Sequence, residues 1–227
     1  MISLYFGLPG CGKTTMYTKL AVDADILIEK DKKRVAKGKK PFCPYKHIYG
    51  NVPLFGLSNY TRIKFSYLGV YDIRDCLLLI DEATIEVDSR DFKGFKKETK
   101  EFMLLHRHYN VDIVFFTQQW DGIDKKIRVI TDRVYYLYKD PLTAKWFTRM
   151  YRVPYGIIIP DPKKDSSEKL GEIVQGYCRP SFFVRVFSPW LYRKKYYKYF
   201  DSWDAPRLKP LPTVGSTQLS TKRREGA

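Results

Sequence analysis

Ile2-Ser-Leu-Tyr-Phe-Gly7-Leu-Pro-Gly-Cys-Gly-Lys-Thr14 opens with an apolar run, breaks into three glycines within six residues, and ends in Lys-Thr. Ile2–Phe6 reads as a buried strand and Lys13–Val22 as the helix after it. Residues 7–14 match G-x-x-x-x-G-K-[ST], a phosphate-binding loop. Glycines let such a backbone curl with its N–H groups facing inward, an anion cradle at a helix N-terminus. In this pattern the lysine, Lys13, reaches the β- and γ-phosphates and the Thr14 hydroxyl ligates Mg²⁺. The expected nucleotide-binding set is therefore Gly7, Leu8, Pro9, Gly10, Cys11, Gly12, Lys13, Thr14 and Thr15.

Two further strands complete the pattern. Cys76-Leu-Leu-Leu-Ile-Asp81-Glu82 lies about 70 residues further on and delivers two acids at a strand's carboxyl end, where open parallel sheets bind ligands. Asp81 is expected to hold Mg²⁺ through water and Glu82 to polarise the attacking water, which favours hydrolysis over simple nucleotide binding. Val111-Asp-Ile-Val-Phe-Phe-Thr117-Gln118 is a third apolar strand, and its end can place the Gln118 amide beside the γ-phosphate; a strand simply passing into a polar turn is the plainer reading. Arginines able to stabilise transition-state charge in a neighbouring subunit are Arg107, Arg128 and Arg133, with Arg107 and Arg128 preferred; each also reads as a solvated surface arginine.

Weaker strands are read at Ile48–Leu54, Ile63–Leu68 and Arg133–Lys139. Helices are read over Phe92–Tyr109, where Phe95, Phe102, Leu105 and Tyr109 fall at helical spacings, and over Gly122–Val129. Strands alternating with helices imply crossovers and a mainly parallel sheet flanked by helices, an α/β P-loop NTPase fold over residues 1–140. From 141 the texture changes to short β-type runs (Tyr155–Pro160, Ile173–Tyr177, Phe182–Phe187) broken by Pro, Gly and Lys-Lys-Asp-Ser-Ser, a small β-containing appendage to 204. Residues 205–227, without aromatics and with three prolines, read as a disordered tail.

The chain has 227 residues with 41 Lys+Arg against 25 Asp+Glu, a formal charge of +16 that points to polyanions. Residues 1–140 carry 24 basic and 18 acidic side chains, net +6; residues 141–227 carry 17 and 7, net +10, with 15 aromatics. Apolar runs of about five residues are far short of a membrane span, and no signal peptide is read at the N-terminus. The spacing of Cys11, Cys43, Cys76 and Cys178 suits reduced cysteines of a cytosolic protein better than a disulfide framework. Glu29–Lys40, net +5, reads as a solvated helical face or a track for DNA phosphates or an anionic membrane. Leu191–Phe200 interleaves bases with aromatics; core packing with a charged face is favoured over a partner or DNA platform. Cys43, His47, His106 and His108 come from distant segments and make a poor case for zinc.

These residues together resemble the zonula occludens toxin family, which includes the assembly ATPases of filamentous bacteriophages. The resemblance rests on Gly7–Thr14, Asn51-Val-Pro-Leu54, Leu79-Ile-Asp-Glu82, His106-Arg-His108 with Asp112 and Thr117-Gln118, Ile123-Asp-Lys-Lys-Ile-Arg128 and, weakly, Tyr199-Phe-Asp201. It is good over about residues 1–140 and loose beyond. It implies an additional-strand P-loop ATPase that uses ATP and Mg²⁺ to power export and assembly of a single-stranded DNA phage, in ring-like homo-oligomers. Implied partners are single-stranded DNA or phage nucleoprotein and coat proteins. The implied location is the host cytoplasm at the cytoplasmic face of the inner membrane. Members of the family typically carry a transmembrane helix after the ATPase module and this chain shows none, so membrane contact is expected to be indirect or peripheral. A soluble nucleic-acid translocase or packaging motor, and a nucleotide-switched adaptor, are the alternative readings.

Overall fold

Apolar residues at alternate positions on both faces of three strands set the centre of the molecule. The computed structural model describes residues 1–82, 97–120, 123, 125–139, 145–153 and 188–201. In chain order the elements are β1 (Ile2–Phe6), α1 (Lys13–Val35), β2 (His47–Gly50), β3 (Tyr60–Arg62), β4 (Cys76–Ile80), α2 (Lys97–Leu105), β5 (Val111–Thr117), α3 (Lys125–Ile130), β6 (Arg133–Tyr138), β7 (Phe147–Val153) and β8 (Trp190–Tyr192). Short 3-10 helices cover Phe65–Tyr67 and Arg193–Tyr199.

All eight strands form one sheet in the order β3-β2-β4-β5-β1-β6-β7-β8. The pairs from β3 through β6 are parallel, and β6–β7 and β7–β8 are antiparallel. β5 is inserted between the phosphate-loop strand β1 and the Asp-Glu strand β4, the arrangement of additional-strand P-loop folds. The sheet continues past residue 140: β7 and β8 are hydrogen-bonded into it beside β6.

One face of the sheet presents Ile2, Leu4, Cys76, Leu78, Ile80, Ile113 and Phe115 to Phe102, Met103 and Ile127 from α2 and α3. The other presents Tyr5, Leu77, Leu79, Val114 and Phe116 to Met16, Tyr17, Ala21 and Ile28 of α1, with Leu191, Tyr196 and Phe200 from the chain's far end. Each central strand thus buries both faces, which is why its sequence is almost wholly apolar, broken only by Ser3 in β1 and by Asp112 and Thr117 in β5.

Three expectations change. The helix after the phosphate loop does not stop at Val22 but runs to Val35, because Ala24 and Ile28 continue the buried stripe. Lys19–Asp23 and Glu29–Lys32 pair at helical spacing, and Lys32, Lys33 and Arg34 complement the dipole at its C-terminus. The Glu29–Lys40 basic run is thus partly the exposed end of α1. Ile63–Leu68 is not a strand. Ile63 and Phe65 pack on the core, but Tyr67 N–H donates to Lys64 O (3.0 Å) and Leu68 N–H to Phe65 O (3.1 Å), closing a 3-10 turn. The strand in this region is instead Tyr60–Arg62, and its neighbour β2 ends at Gly50 instead of Leu54.

The helix read from Phe92 is described from Lys97 to Leu105, and that read from Gly122 over Lys125–Ile130. The runs Tyr155–Pro160, Ile173–Tyr177 and Phe182–Phe187, Cys178 and the 205–227 tail lie outside the described residues. Among the described residues no helix is long and apolar enough to cross a membrane, and no three His, Cys, Asp or Glu side chains cluster as a metal site would require of them alone. His47 and His106 fall on separate elements, with His106 at the turn after α2.

Candidate active site

The loop between β1 and α1 is shaped by two glycines in the left-handed region, Gly10 (φ 71°) and Gly12 (φ 103°), conformations in which an L side chain is strained. A Cβ on Gly12 would also overlap the Thr148 hydroxyl on β7. That hydroxyl donates to Cys11 O at 2.7 Å in a buried bond, so β7 is fastened to the loop itself. Cys11 N–H donates to Leu8 O and Gly7 N–H to Thr117 O at the end of β5. Lys13, only 7% exposed, folds back to donate to Gly7 O at 3.1 Å. α1 has no acidic residue in its first turn, leaving the positive helix end open to an anion.

β4 brings Asp81 and Glu82 to the same edge. Asp81 is buried; its Oδ2 accepts from the Thr14 hydroxyl (3.3 Å) and its Oδ1 from Glu82 N–H (2.9 Å). Burial pushes its carboxyl up from the usual carboxylate range to about 6. A cation beside it would offset that desolvation. Glu82 sits at φ 49°, a left-handed conformation unusual for glutamate and a place where backbone strain is held by its surroundings. Gln118, one residue beyond β5, donates from Nε2 to both carboxylate oxygens of Glu82 at 3.2 and 3.3 Å.

Pro9, Gly10, Gly12, Lys13, Thr14, Thr15, Glu82 and Gln118 line one cleft of about 360 Å³ at the carboxyl ends of the parallel strands. Leu8 is exposed at the loop's tip and Cys11 is buried beneath it. The donor set fits the expected ligands. The uncapped N-terminus of α1 with Lys13 beside it suits an anion, and the Asp81 carboxylate with the Thr14 hydroxyl are hard oxygen donors of the kind Mg²⁺ takes. Arg107 and Arg128 lie outside this cleft. Arg107 donates to Asp132 (3.0 Å) from the turn leading into β5, at the opposite edge of the sheet. Arg128, on α3, lies with its guanidinium 5.8 Å from the Trp120 ring centre. Arg133 begins β6, also at that opposite edge.

Five contributors escaped the sequence reading. Asn51 clamps the Asp81 backbone: its Oδ1 accepts from Asp81 N–H and its Nδ2 donates to Asp81 O, each at 2.8 Å. Its only sequence signal was its place in Asn51-Val-Pro-Leu54. Thr148 supports the loop from β7, and Arg193 and Tyr197, from the last 3-10 helix, line the cleft with Phe200. These lie more than 130 residues from the loop, and no local pattern links them to it.

A phosphate loop entering α1, a strand inserted before the Asp-Glu strand, and acids gathered at the carboxyl edge define a P-loop NTPase fold of the additional-strand type. Within it, the chain belongs to the zonular occludens toxin (Zot) family, whose family model matches residues 55–203. The match begins after the phosphate loop and runs well past residue 140, further than the sequence resemblance indicated. No curated protein matches the chain. Among solved structures it is similar to the N-terminal domain of zonular occludens toxin from Neisseria meningitidis, at 14% identity over 88% of this chain and 98% of that one (TM-score 0.47). It is also similar to B204, the DNA-packaging ATPase from Sulfolobus Turreted Icosahedral Virus, at 14% identity over 67% and 92% of the two chains (TM-score 0.44). The genome packaging NTPase B204 of Sulfolobus turreted icosahedral virus 2, in complex with ATP-gammaS, is likewise similar: 14% identity over 67% and 91% (TM-score 0.40).

Proposed function

We propose that this chain is a Mg²⁺-dependent ATPase that drives assembly and export of a filamentous single-stranded DNA phage. The observation that carries the reading is the meeting of Lys13, Thr14, Glu82 and Gln118 in one cleft, with Asp81 hydrogen-bonded to Thr14 beneath it. Lys13 leaves Gly7 O to bind the β- and γ-phosphates, and backbone N–H groups at the N-terminus of α1 take the remaining oxygens. Thr14 and Asp81 would hold Mg²⁺, which when bound supplies positive charge against the phosphates. Glu82 orients the attacking water and accepts its proton. Gln118, already paired with Glu82, moves between that carboxylate and the γ-phosphate, so that it registers whether the terminal phosphate is present. An arginine from a neighbouring copy in a ring, Arg107 or Arg128, adds charge in the transition state. The force acts on single-stranded DNA, or on coat protein assembling onto it, at the cytoplasmic face of the inner membrane, with membrane contact indirect or peripheral. Residues 1–140 supply the groups assigned to phosphate, Mg²⁺ and water, and the described residues 145–153 and 188–201 support them.

Steady ATP turnover by the assembled protein, lost in both Lys13→Ala and Glu82→Gln, is the expected result. Negligible turnover with and without single-stranded DNA would point to a nucleotide-switched adaptor. Flotation of the protein with membranes from phage-producing cells supports export; recovery only in the soluble fraction would favour a packaging or translocase role.

A further inference from the structure

We infer that Arg193 is a second cation of the phosphate site, supplied by the same chain from the far end of the sheet to bind the triphosphate of the nucleotide. The inference rests on the ATP-binding reading above. Arg193 begins the 3-10 helix Arg193–Tyr199 and lines the cleft opposite Gly10, Gly12, Lys13 and Thr14.

Its position is built from several directions. β8 pairs antiparallel with β7 in the register Phe147↔Tyr192, Thr148↔Leu191, and Arg193 N–H donates to Trp146 O at 2.8 Å. The same Thr148 that faces Leu191 is bonded to Cys11 of the loop. Loop, β7 and the start of the 3-10 helix are therefore three links of one hydrogen-bonded chain. Leu191, Tyr196 and Phe200 are buried in the cluster that holds α1, and Phe55 N–H donates to Tyr199 O at 2.8 Å, anchoring the helix on both sides of Arg193.

The charge pattern agrees. Lys139, just beyond β6, brings its Nζ to 3.2 Å from where a Cβ of Gly10 would stand. Burial raises the Cys11 thiol, and the charges of Lys13, Lys139 and Arg193 oppose that rise, so three cations surround this loop residue. Glu82 also lines the cleft, where Gln118 donates to its carboxylate. A ligand bearing several negative charges matches this wall, and a planar guanidinium suits phosphate oxygens better than an ammonium does.

The test measures binding of a non-hydrolysable ATP analogue with Mg²⁺ to the full chain, alongside thermal melting. Arg193→Ala is expected to weaken binding about 10- to 100-fold, the range for losing one hydrogen bond to a charged group. Arg193→Lys is expected to recover part of the loss. Lys194→Ala, on the same helix and exposed, removes equal charge away from the cleft and is expected to stay within about 2-fold. Arg193→Ala binding within about 2-fold of wild type while Lys13→Ala abolishes binding would overturn the inference and leave the ATPase reading intact. Equal loss in Lys194→Ala, or loss in Arg193→Ala with a lowered melting temperature and no recovery in Arg193→Lys, would overturn it too. Absence of binding by the wild-type chain would overturn the ATP-binding reading and this inference with it.

Discussion

Asn51→Ala is the substitution that asks most of the active-site geometry without touching a group placed on nucleotide or metal. Asn51 spends its side-chain amide on the main chain of Asp81, accepting from its N–H and donating to its carbonyl, both at 2.8 Å. Alanine leaves one donor and one acceptor at a largely buried residue without these partners. At about 1–3 kcal/mol for each group so stranded, discounted for partial exposure, the variant is expected to lose about 2–4 kcal/mol. For a chain of this size that is a fall in melting temperature of roughly 5–12 °C. A second effect follows from the next residue. Glu82 stands at φ 49°, and its N–H is held by Asp81 Oδ1. With the Asp81 backbone released, Glu82 can relax toward an ordinary conformation and carry its carboxylate away from Gln118. Turnover is therefore expected to fall about 10-fold or more, while affinity for the ATP analogue, set by the loop, changes by less than about 3-fold. Calorimetric melting and a kcat-against-KM comparison read the two effects. Asn51→Asp keeps the acceptor, loses the donor and adds a third carboxylate beside Asp81 and Glu82, so it is expected to be at least as damaging. An unchanged melting temperature, or affinity falling in step with turnover, would refute the reasoning.

Gly12→Ala meets both a left-handed backbone and the Thr148 hydroxyl, and is expected to cost about 2–4 kcal/mol in urea unfolding and to abolish analogue binding. Adding Thr148→Ala removes the overlap but not the backbone cost, so recovery should be partial; full recovery would show that the left-handed turn is dispensable. His106 is buried, and desolvation, aided by the N-terminal amine and Arg107, pulls its pKa below 6.5 against the opposing hydrogen bond to Met103 O (Nδ1 at 2.7 Å) and the charge of Asp132. The unfolded chain then binds a proton that the folded one refuses. Its contribution to stability is present above pH 6.5 and is lost as pH falls from there through the folded value. Denaturant midpoints measured between pH 7.5 and 5 should show a drop in wild type that is smaller in His106→Gln; equal slopes would exclude the histidine as its source.

What the sequence made legible follows burial. β1, β4 and β5 emerged with their true limits because both faces of each are covered, so apolar residues dominate each run and only Ser3, Asp112 and the terminal Thr117 are polar. β3, half-exposed at the sheet's edge, carries no such pattern, and the apolar Ile63 and Phe65 beside it imitate a strand while their backbone turns. The second half of α1 is charged on its solvent side and keeps only Ala24 and Ile28 inward, too thin a stripe to announce a helix. The residues that shape the cleft divide in the same way. Lys13, Thr14, Asp81, Glu82 and Gln118 sit where a strand or loop signals its own end, so local reading finds them. Asn51, Thr148 and Arg193 reach the cleft through sheet order, which local reading cannot supply. That difference bears on the charge of +10 in residues 141–227, which composition alone directs toward an external polyanion. β7 and β8 extend the sheet that carries the phosphate loop, Thr148 is bonded to that loop, and Arg193 lines the cleft beside it. Part of that charge therefore lines the cleft, where under the proposed function the polyanion is a nucleotide's own triphosphate. Among the described residues of this stretch, Lys145, Lys194, Lys195 and Lys198 are exposed and face a partner beyond the chain.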